Sequence, residues 1–221
     1  MSNARENILA RLRKGAESPL RHPNPTRERE AEWQARQAPL GDLATRFTVE
    51  QERLGARVTR VLDWKSLPEA LGPWFGEYRV GSAMTGTDDR LNPLRTYLEE
   101  TLGIELHTYS APIEEQKEEV FSVDCGITTT YGGVADTGSV ILVPNAKEPR
   151  LLSLAPPIHL AILEVERIFP TLGAFLKRGD FQNHTPSNLV FVTGPSRTAD
   201  IELTLTVGVH GPKVELVALV G

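Results

Sequence analysis

The sequence predicts an α/β protein built on a mostly parallel sheet, preceded by a helical arm. Three short apolar strands alternate with two amphipathic helices, at residues 57–63, 66–75, 78–83, 92–103 and 104–110. Strands joined by helices of this length pair in parallel through right-handed crossovers. The chain before them is polar and shows helical patterning instead. We therefore assign residues 1–55 to an arm and residues 56–221 to an α/β domain.

The two helices of this alternation carry their own boundary signals. Pro68 and Pro93 stand in the first turns, where proline's missing N–H group costs no hydrogen bond. Gly103 follows the second helix, at the position where a left-handed backbone ends many helices. Each helix therefore has a defined start, and the second also has a defined stop.

The second half of the chain is predicted to add strands around residues 123–144, 158–165, 189–194 and 213–221, with a helix over 166–178. Residues 201–209 alternate between apolar and polar, which favours a strand. If the strands at 189 and 214 are parallel neighbours, however, a crossover must join them. We therefore expect a short helix from Thr198.

Composition excludes several classes of function. The net charge of −5 argues against a general nucleic-acid-binding protein, although the N-terminal arm carries an excess of Lys and Arg. Cys125 is the single cysteine, so the chain has neither an internal disulfide nor the ligands of an iron–sulfur cluster. No apolar run is long enough to span a membrane, and the N-terminus lacks a secretory signal. We expect a cytoplasmic protein.

Two glycine-containing turns combine polar groups in a way that favours anion binding. The first is ADTGS (135–139), which precedes a core strand, and the second is GPSRTAD (194–200), which follows one. Free backbone N–H groups at a strand's carboxyl end bind anions, and arginine suits carboxylate or phosphate. A hairpin turn with a capping Asp would explain the first turn equally well, whereas helix capping would explain only some residues of the second. The predicted ligand-binding residues are Thr137, Gly138, Ser139, Gly194, Ser196, Arg197, Thr198 and Asp200.

Two residues are candidates for catalysis. Asp136 could act as a base, a nucleophile or a hydrogen-bond orienter. His210, in the turn GVHGP (208–212), could orient a ligand or shuttle a proton, or it could simply form hydrogen bonds within its loop. His159 begins a core strand, and we interpret it as structural. No pair of histidines has metal-ligand spacing, so we expect no metal site.

The loop MTGTDD (84–89) also follows a predicted strand and could line the same crevice. The chain contains no G-x-G-x-x-G, P-loop or G-x-S-x-G motif. Three common cofactor and nucleophile sites therefore lose support.

The order of these motifs resembles that of the lactate-utilization protein C family, whose unit is the LUD domain. The motifs are ADTGSVIL, LLSLAPPIHLAIL, GPSRTADIE and GVHGPKVELVALV. The resemblance is strongest over residues 120–221 and extends to the parallel strands from residue 57. Asp136 and Ser139 stand where relatives often carry Glu and Thr.

The resemblance implies the three-layer α/β fold shared by sugar-phosphate isomerases, CoA transferases and 5-formyltetrahydrofolate cyclo-ligase. It also implies a cytoplasmic role beside two iron–sulfur proteins that together oxidise L-lactate to pyruvate. The chain would be a non-redox subunit without a cofactor of its own, since the clusters would lie on the partners. Arg197 would hold a small carboxylate, helped by Ser196, Thr198 and His210.

Two other interpretations of the same residues stay open. The chain could be a stand-alone enzyme or binding protein for a CoA ester, a nucleotide or another phosphate-bearing ligand, with Asp136 as a covalent nucleophile by analogy with fold relatives. It could also be an adaptor whose basic arm docks on an acidic partner. Ligand screening and deletion of residues 1–55 separate these alternatives.

Overall fold

The computed structural model describes residues 6–11, 13, 42–178, 186–199 and 205–221. The chain divides into two compact units, Met1–Pro39 and Leu40–Gly221. In the first unit, residues 6–11 and 13 are helical and exposed. The larger unit includes residues 42–55, which the sequence analysis placed with the arm. The predicted division of the chain after residue 55 itself stays a prediction.

The centre of the larger unit is a six-stranded sheet in which every neighbouring pair of strands is parallel. Its order is β1 (Arg57–Val61), β12 (Val214–Val220), β7 (Ile158–Glu164), β4 (Cys125–Thr129), β2 (Ser82–Thr85) and β3 (Glu105–Thr108). The prediction of a mostly parallel α/β sheet is confirmed. The strand expected at 78–83 begins only at Ser82, because helix α2 (Leu67–Glu77) runs further than its pattern indicated.

The other helices of this unit are short. They are α1 (Leu43–Arg53), α3 (Asn92–Thr96, continued as a π-helical turn over Tyr97–Thr101), α4 (Ile113–Ser122) and α5 (Leu172–Lys177). Short 3-10 turns occupy Asp89–Leu91, Arg150–Ser153 and Val165–Arg167. Helix α1 begins where the Asp42 carboxylate accepts a hydrogen bond from the backbone N–H of Thr45, an N-cap of the usual kind.

A second, mixed sheet lies in the same unit. Its order is β8 (Ile168–Phe169), β5 (Gly132–Val134), β6 (Ser139–Leu142) and β9 (Val190–Val192). A separate antiparallel ladder joins β10 (Arg197–Ala199) to β11 (Leu205–Val207).

The short helix expected from Thr198 is wrong for the described residues of that stretch, which form β10 and β11. The crossover argument assumed that β9 and β12 were parallel neighbours. Strand β9 instead pairs antiparallel with β6, so no helical crossover is needed and the local alternation decides. Residues 200–204 lie outside the described part. Only Leu172–Lys177 of the helix predicted over 166–178 forms, because β8 precedes it.

Successive side chains of the central strands point to opposite faces of the sheet, as strand geometry requires. Leu160 and Leu216 belong to the apolar cluster that contains Leu71 of α2. Ala161 and Val217, one residue further along, belong to the cluster that contains Phe47 of α1. The layers are therefore helices on one face, the six-stranded sheet, and α1 with the second sheet on the other face.

Candidate functional site

A cavity of about 270 Å³ opens at the carboxyl ends of β2 and β4, on the side of the second sheet. Its wall is formed by the loop after β2, the residues joining β4 to β5, and the segment after β6. The lining residues are Asp88, Arg90, Thr128–Tyr131, Leu142–Asn145, Glu148–Arg150, Ser153 and Arg167. This is the edge at which open α/β sheets bind ligands. Asp88 of the loop at 84–89 lines the cavity, but the described residues of the polar turns that were expected to share a crevice with this loop do not. We call this cavity the edge cavity.

Glu148 is held in the wall of the edge cavity by one residue of β4. The backbone N–H of Thr129 donates to one oxygen of the carboxylate at 2.7 Å, and the Thr129 hydroxyl donates to the other at 2.6 Å. The Asn145 side chain accepts hydrogen bonds from the backbone N–H groups of Lys147 and Glu148, which shapes the loop. Burial raises the pKa of Glu148, and the two bonds from Thr129 oppose that shift.

Three arginines line the cavity, and two of them are paired. Arg90 contacts Asp88 at 2.8 Å and holds the pKa of that carboxyl below its usual range. Arg167 contacts Glu164 at 2.8 Å. Arg150, in contrast, has no ion pair or side-chain hydrogen bond with any residue of the described part of the chain. Its guanidinium is therefore the cation left available to an anion.

Thr130 supplies a second unsatisfied group in the same wall. Its side chain is 8% exposed, and its hydroxyl is buried without a hydrogen-bond partner among the described residues. A buried hydroxyl without a partner costs free energy, which a bound ligand would recover. Arg150 and Thr130 both line the edge cavity, and each carries a donor that no described residue uses.

A buried chain of hydrogen bonds ends at this cavity. Glu215 of β12 contacts His159 of β7 with both carboxylate oxygens, each 3.0 Å from Nδ1. His159 Nε2 lies 3.0 Å from the hydroxyl of Thr128 in β4. Of these three residues only Thr128 lines the cavity. Burial raises the pKa of Glu215, and the neighbouring His159 opposes that shift.

The two polar turns predicted from sequence do meet. The Ser139 hydroxyl lies 2.8 Å from that of Thr193 and 2.8 Å from that of Thr137. Gly138 has a φ of +67° and passes close to α1, where a Cβ would lie 2.8 Å from the backbone N of Gln51. These residues of the first turn therefore pack between the second turn and α1.

Asp136 lies on the α1 side of this corner. One of its carboxylate oxygens is buried without a hydrogen-bond partner among the described residues, and burial raises its pKa. Arg46 of α1 lowers that pKa, while Glu50 raises it. Asp136 therefore interacts with charges of the helix and does not line the edge cavity.

The second turn is tied to the end of α1. The Arg197 guanidinium donates a hydrogen bond to the carbonyl of Leu54, which follows the helix, and Gly194 packs against the same residue. Thr198 lies in β10, and Asp200 is outside the described residues. Arg197 therefore already has a partner for its charge, at the helix end where carbonyl groups attract cations.

The third predicted turn joins the second through the backbone. The N–H of Gly208 donates to the carbonyl of Ser196, and the N–H of Ser196 donates to that of Pro212, both at 2.9 Å. His210 lines a different concavity of about 290 Å³, together with Phe121 and Leu151. None of the predicted site residues that the structure describes lines the edge cavity. Their role in binding an anion stays a prediction.

Sequence reasoning missed most of the residues that line the cavity, and it also missed the His159–Glu215 pair that contacts Thr128. The segment TTTY (128–131) was noted as an unusual loop, but its threonines were not selected. His159 and Glu215 each stand second in an apolar strand, IHLAILE and VELVALV, which is a repeated signal that was available. The described residues contain no cluster of three His, Cys, Asp or Glu suited to a metal ion. None of the described helices has the length and apolar character needed to cross a bilayer.

Comparison with known proteins places this chain among defined relatives. The sequence profile of the LUD domain family matches residues 44–220. An uncharacterized protein of Neisseria meningitidis serogroup B is 29% identical over 96% of this chain and 91% of its own length. The lactate utilization protein C of Oceanobacillus iheyensis is 31% identical over 67% of each chain.

A solved structure shares the fold. A DUF162 family protein from Deinococcus radiodurans superposes with a TM-score of 0.62 at 20% identity, covering 84% of this chain and all of that one. At this identity the likeness supports the architecture alone.

Proposed function

Because the chain belongs to the LUD domain family, we propose that it serves lactate utilization by holding a small carboxylate in the edge cavity. It would act in the cytoplasm as a non-redox subunit beside two iron–sulfur proteins that together oxidise L-lactate to pyruvate. The names of relatives such as the Oceanobacillus iheyensis protein support the lactate assignment.

The observation that carries the binding proposal is that the unpaired Arg150 and the unpartnered Thr130 hydroxyl belong to residues lining the same cavity. A guanidinium binds a carboxylate through two parallel N–H donors, and a buried hydroxyl adds a third donor. A cavity of about 270 Å³ lies just below the roughly 300–1,000 Å³ that is usual for drug-sized ligands, which suits a smaller three-carbon acid. The proposal keeps the predicted edge of the sheet but uses residues other than Arg197.

The proposal assigns electron transfer to the partners. Cys125 is the single cysteine of the sequence, it is buried in β4, and burial raises the pKa of its thiol. One buried thiol cannot supply the cysteine ligands of an iron–sulfur cluster. Electrons from lactate would therefore pass through the partner proteins while this chain positions the acid.

Calorimetric titration of L-lactate and of pyruvate tests the proposal, with the chain alone and with the two iron–sulfur proteins. We expect binding that Arg150→Gln weakens by at least about tenfold, the loss of one charged hydrogen-bonding group. The exposed Arg60 lies outside the cavity, so Arg60→Gln is the matched control.

The same titration separates the two possible sites. If Arg197→Gln abolishes binding and Arg150→Gln does not, the turn predicted from sequence is the site. If neither acid binds, and omitting the chain leaves lactate oxidation by the partners unchanged, the proposed function is wrong.

A further inference from the structure

The three central strands of the sheet place three polar side chains on one face. Glu215 and His159 are paired in register between β12 and β7, and Gly126 of β4 is the register partner of His159 on the other side. Thr128 is two residues beyond Gly126, so its side chain points to the same face. The three residues therefore form a row across β12, β7 and β4 beside the edge cavity.

This row is almost completely buried. His159 is 0% exposed, Glu215 is 1% exposed and Thr128 is 4% exposed. Their neighbours on the same face include the apolar Ala161 and Val217. Buried ionisable pairs are often no more stabilising than apolar side chains of the same size, so stability does not explain this row. Buried titratable groups with specific partners are instead frequent at functional sites.

The hydrogen bonds give each member of the row a distinct part. With Glu215 as the acceptor, His159 Nδ1–H donates to its carboxylate, which fixes the ring and the tautomer. His159 Nε2 then accepts the proton of the Thr128 hydroxyl at 3.0 Å. A hydroxyl bonded to an imidazole that a carboxylate orients is the arrangement that activates an alcohol as a nucleophile.

We propose that Thr128 is a catalytic nucleophile for acyl transfer, with His159 as its general base and Glu215 as the residue that positions His159. The substrate class is a small carboxylic acid activated as an ester or thioester. The Thr130 hydroxyl would donate to the carbonyl oxygen as it becomes negative, and Arg150 would attract an anionic substituent of the same molecule. This activity goes beyond carboxylate binding and does not require the partner proteins.

The step balances without an oxidant or a cofactor. The Thr128 oxygen attacks the acyl carbon while His159 takes the hydroxyl proton. The bond from that carbon to the alcohol or thiol breaks, and His159 returns the proton to the leaving group. Water then attacks the acyl carbon of the Thr128 ester with His159 again as the base, the bond from that carbon to the Thr128 oxygen breaks, and His159 returns the proton to that oxygen. The free acid leaves, and the Thr128 hydroxyl is restored.

The full chain treated with 4-nitrophenyl acetate tests this directly. We expect a burst of 4-nitrophenolate and one acetyl group that peptide mapping by mass spectrometry locates on Thr128. Thr128→Val and His159→Gln should each slow acetylation of this site at least about 100-fold, while Thr128→Ser retains it. Glu215→Gln should lower the rate and shift its pH profile, which loss of packing alone would not do.

Thr85→Val is the matched control, since Thr85 is a buried threonine of the neighbouring strand β2 and its hydroxyl bonds Arg95 and the Gly86 carbonyl instead of a histidine. It should leave the burst unchanged. Circular dichroism melts establish that each variant is folded. If Thr128→Val does not fold, the mapped position in the wild-type chain decides alone. Acetyl groups found only on lysines, or no burst, would overturn the proposal.

Discussion

Two corners of this molecule are both rich in small and polar residues but have different surroundings. The first, around Thr128–Thr130, lies at the end of β4 and lines the edge cavity, where Arg150 and the Thr130 hydroxyl lack partners in the described chain. The second, formed by residues 135–139 and 193–197, has its hydroxyls bonded to one another and its arginine bonded to Leu54. Both combine small and polar residues next to a strand. A polar corner is therefore available to a ligand only where no other element covers it.

Helix α1 accounts for the difference. It runs beside the second corner, close to Gly138. The carbonyl of Leu54, which follows its last turn, accepts a hydrogen bond from the Arg197 guanidinium. No helix of the described chain places a carbonyl group at its end where it accepts a hydrogen bond from Arg150. The comparison can be tested by substitutions that act at one corner only.

The largest expected effect is at the tightly packed corner. Gly138→Ala should lower the free energy of unfolding by about 3 kcal/mol, because it combines a left-handed backbone with a Cβ pressed on Gln51 and Glu50. Gly103 is a matched control, since its φ is +66° but no heavy atom lies within 4 Å of the added Cβ. Gly103→Ala should cost only about 1 kcal/mol. Equal losses in urea titrations would show that the close approach of α1 is unimportant.

The fold was predictable where local signals decide it, and less so where pairing between distant segments does. Pro68, Pro93 and the apolar strands indicate the parallel alternation in the first half of the domain. The alternation at 201–209 was also correct locally, but an assumed pairing of β9 with β12 overrode it. Strand β9 pairs with β6, which lies much earlier in the chain, and no turn motif in the sequence indicates that these two strands pair.

The site was predictable only as an edge of the sheet. The loop after β2 was expected at the carboxyl edge, since strand direction fixes that placement. The contact of Thr128 with His159, and of His159 with Glu215, depends on the register of three strands that are far apart in the chain. Register follows from packing of the whole sheet, so the residues could be seen in the sequence but their contacts could not.

The open corner should show a distinctive pH dependence. Burial raises the pKa of Glu148 above its ordinary 4.5, so the folded state binds its proton more tightly than the unfolded state does. Stability contributed by this group therefore falls as the pH rises above about 4.5. The stability of Glu148→Gln relative to wild type should increase with pH from about 4.5 towards neutrality, as measured by denaturant titration at each pH.

Asp88, which lines the same cavity, should show the opposite dependence of stability on pH. The bond from Arg90 lowers the pKa of Asp88 below its ordinary 3.8, so its contribution is present above that value and is lost as the pH falls through the folded-state pKa. Asp88→Asn should therefore be less stable than wild type at pH values above 3.8, and this difference in the free energy of unfolding should disappear only at lower pH. The same trend for both variants would contradict the contrast between the buried and the paired carboxyl.

The two arginines should separate stability from binding. Arg197→Gln removes the charged donor to the Leu54 carbonyl and should lower the free energy of unfolding by about 1 kcal/mol. Arg150→Gln removes no side-chain contact with the described residues and should change stability by less than about 0.5 kcal/mol. Thermal melts of the two variants make the measurement. A larger loss for Arg150→Gln would mean that the open corner depends on Arg150 for its structure.

The smallest expected effect concerns the hydroxyl contact inside the covered corner. Ser139 and Thr193 lie on segments 54 residues apart in the chain, and their hydroxyls are 2.8 Å apart. A double-mutant cycle of Ser139→Ala and Thr193→Val should give a coupling of about 0.5 kcal/mol, the net value of one neutral hydrogen bond at a partly exposed site. Urea titration of the four proteins measures it. A coupling near zero would mean that the covered corner is held by the backbone and α1, and that its hydroxyls are free to bind a ligand, as the sequence suggested.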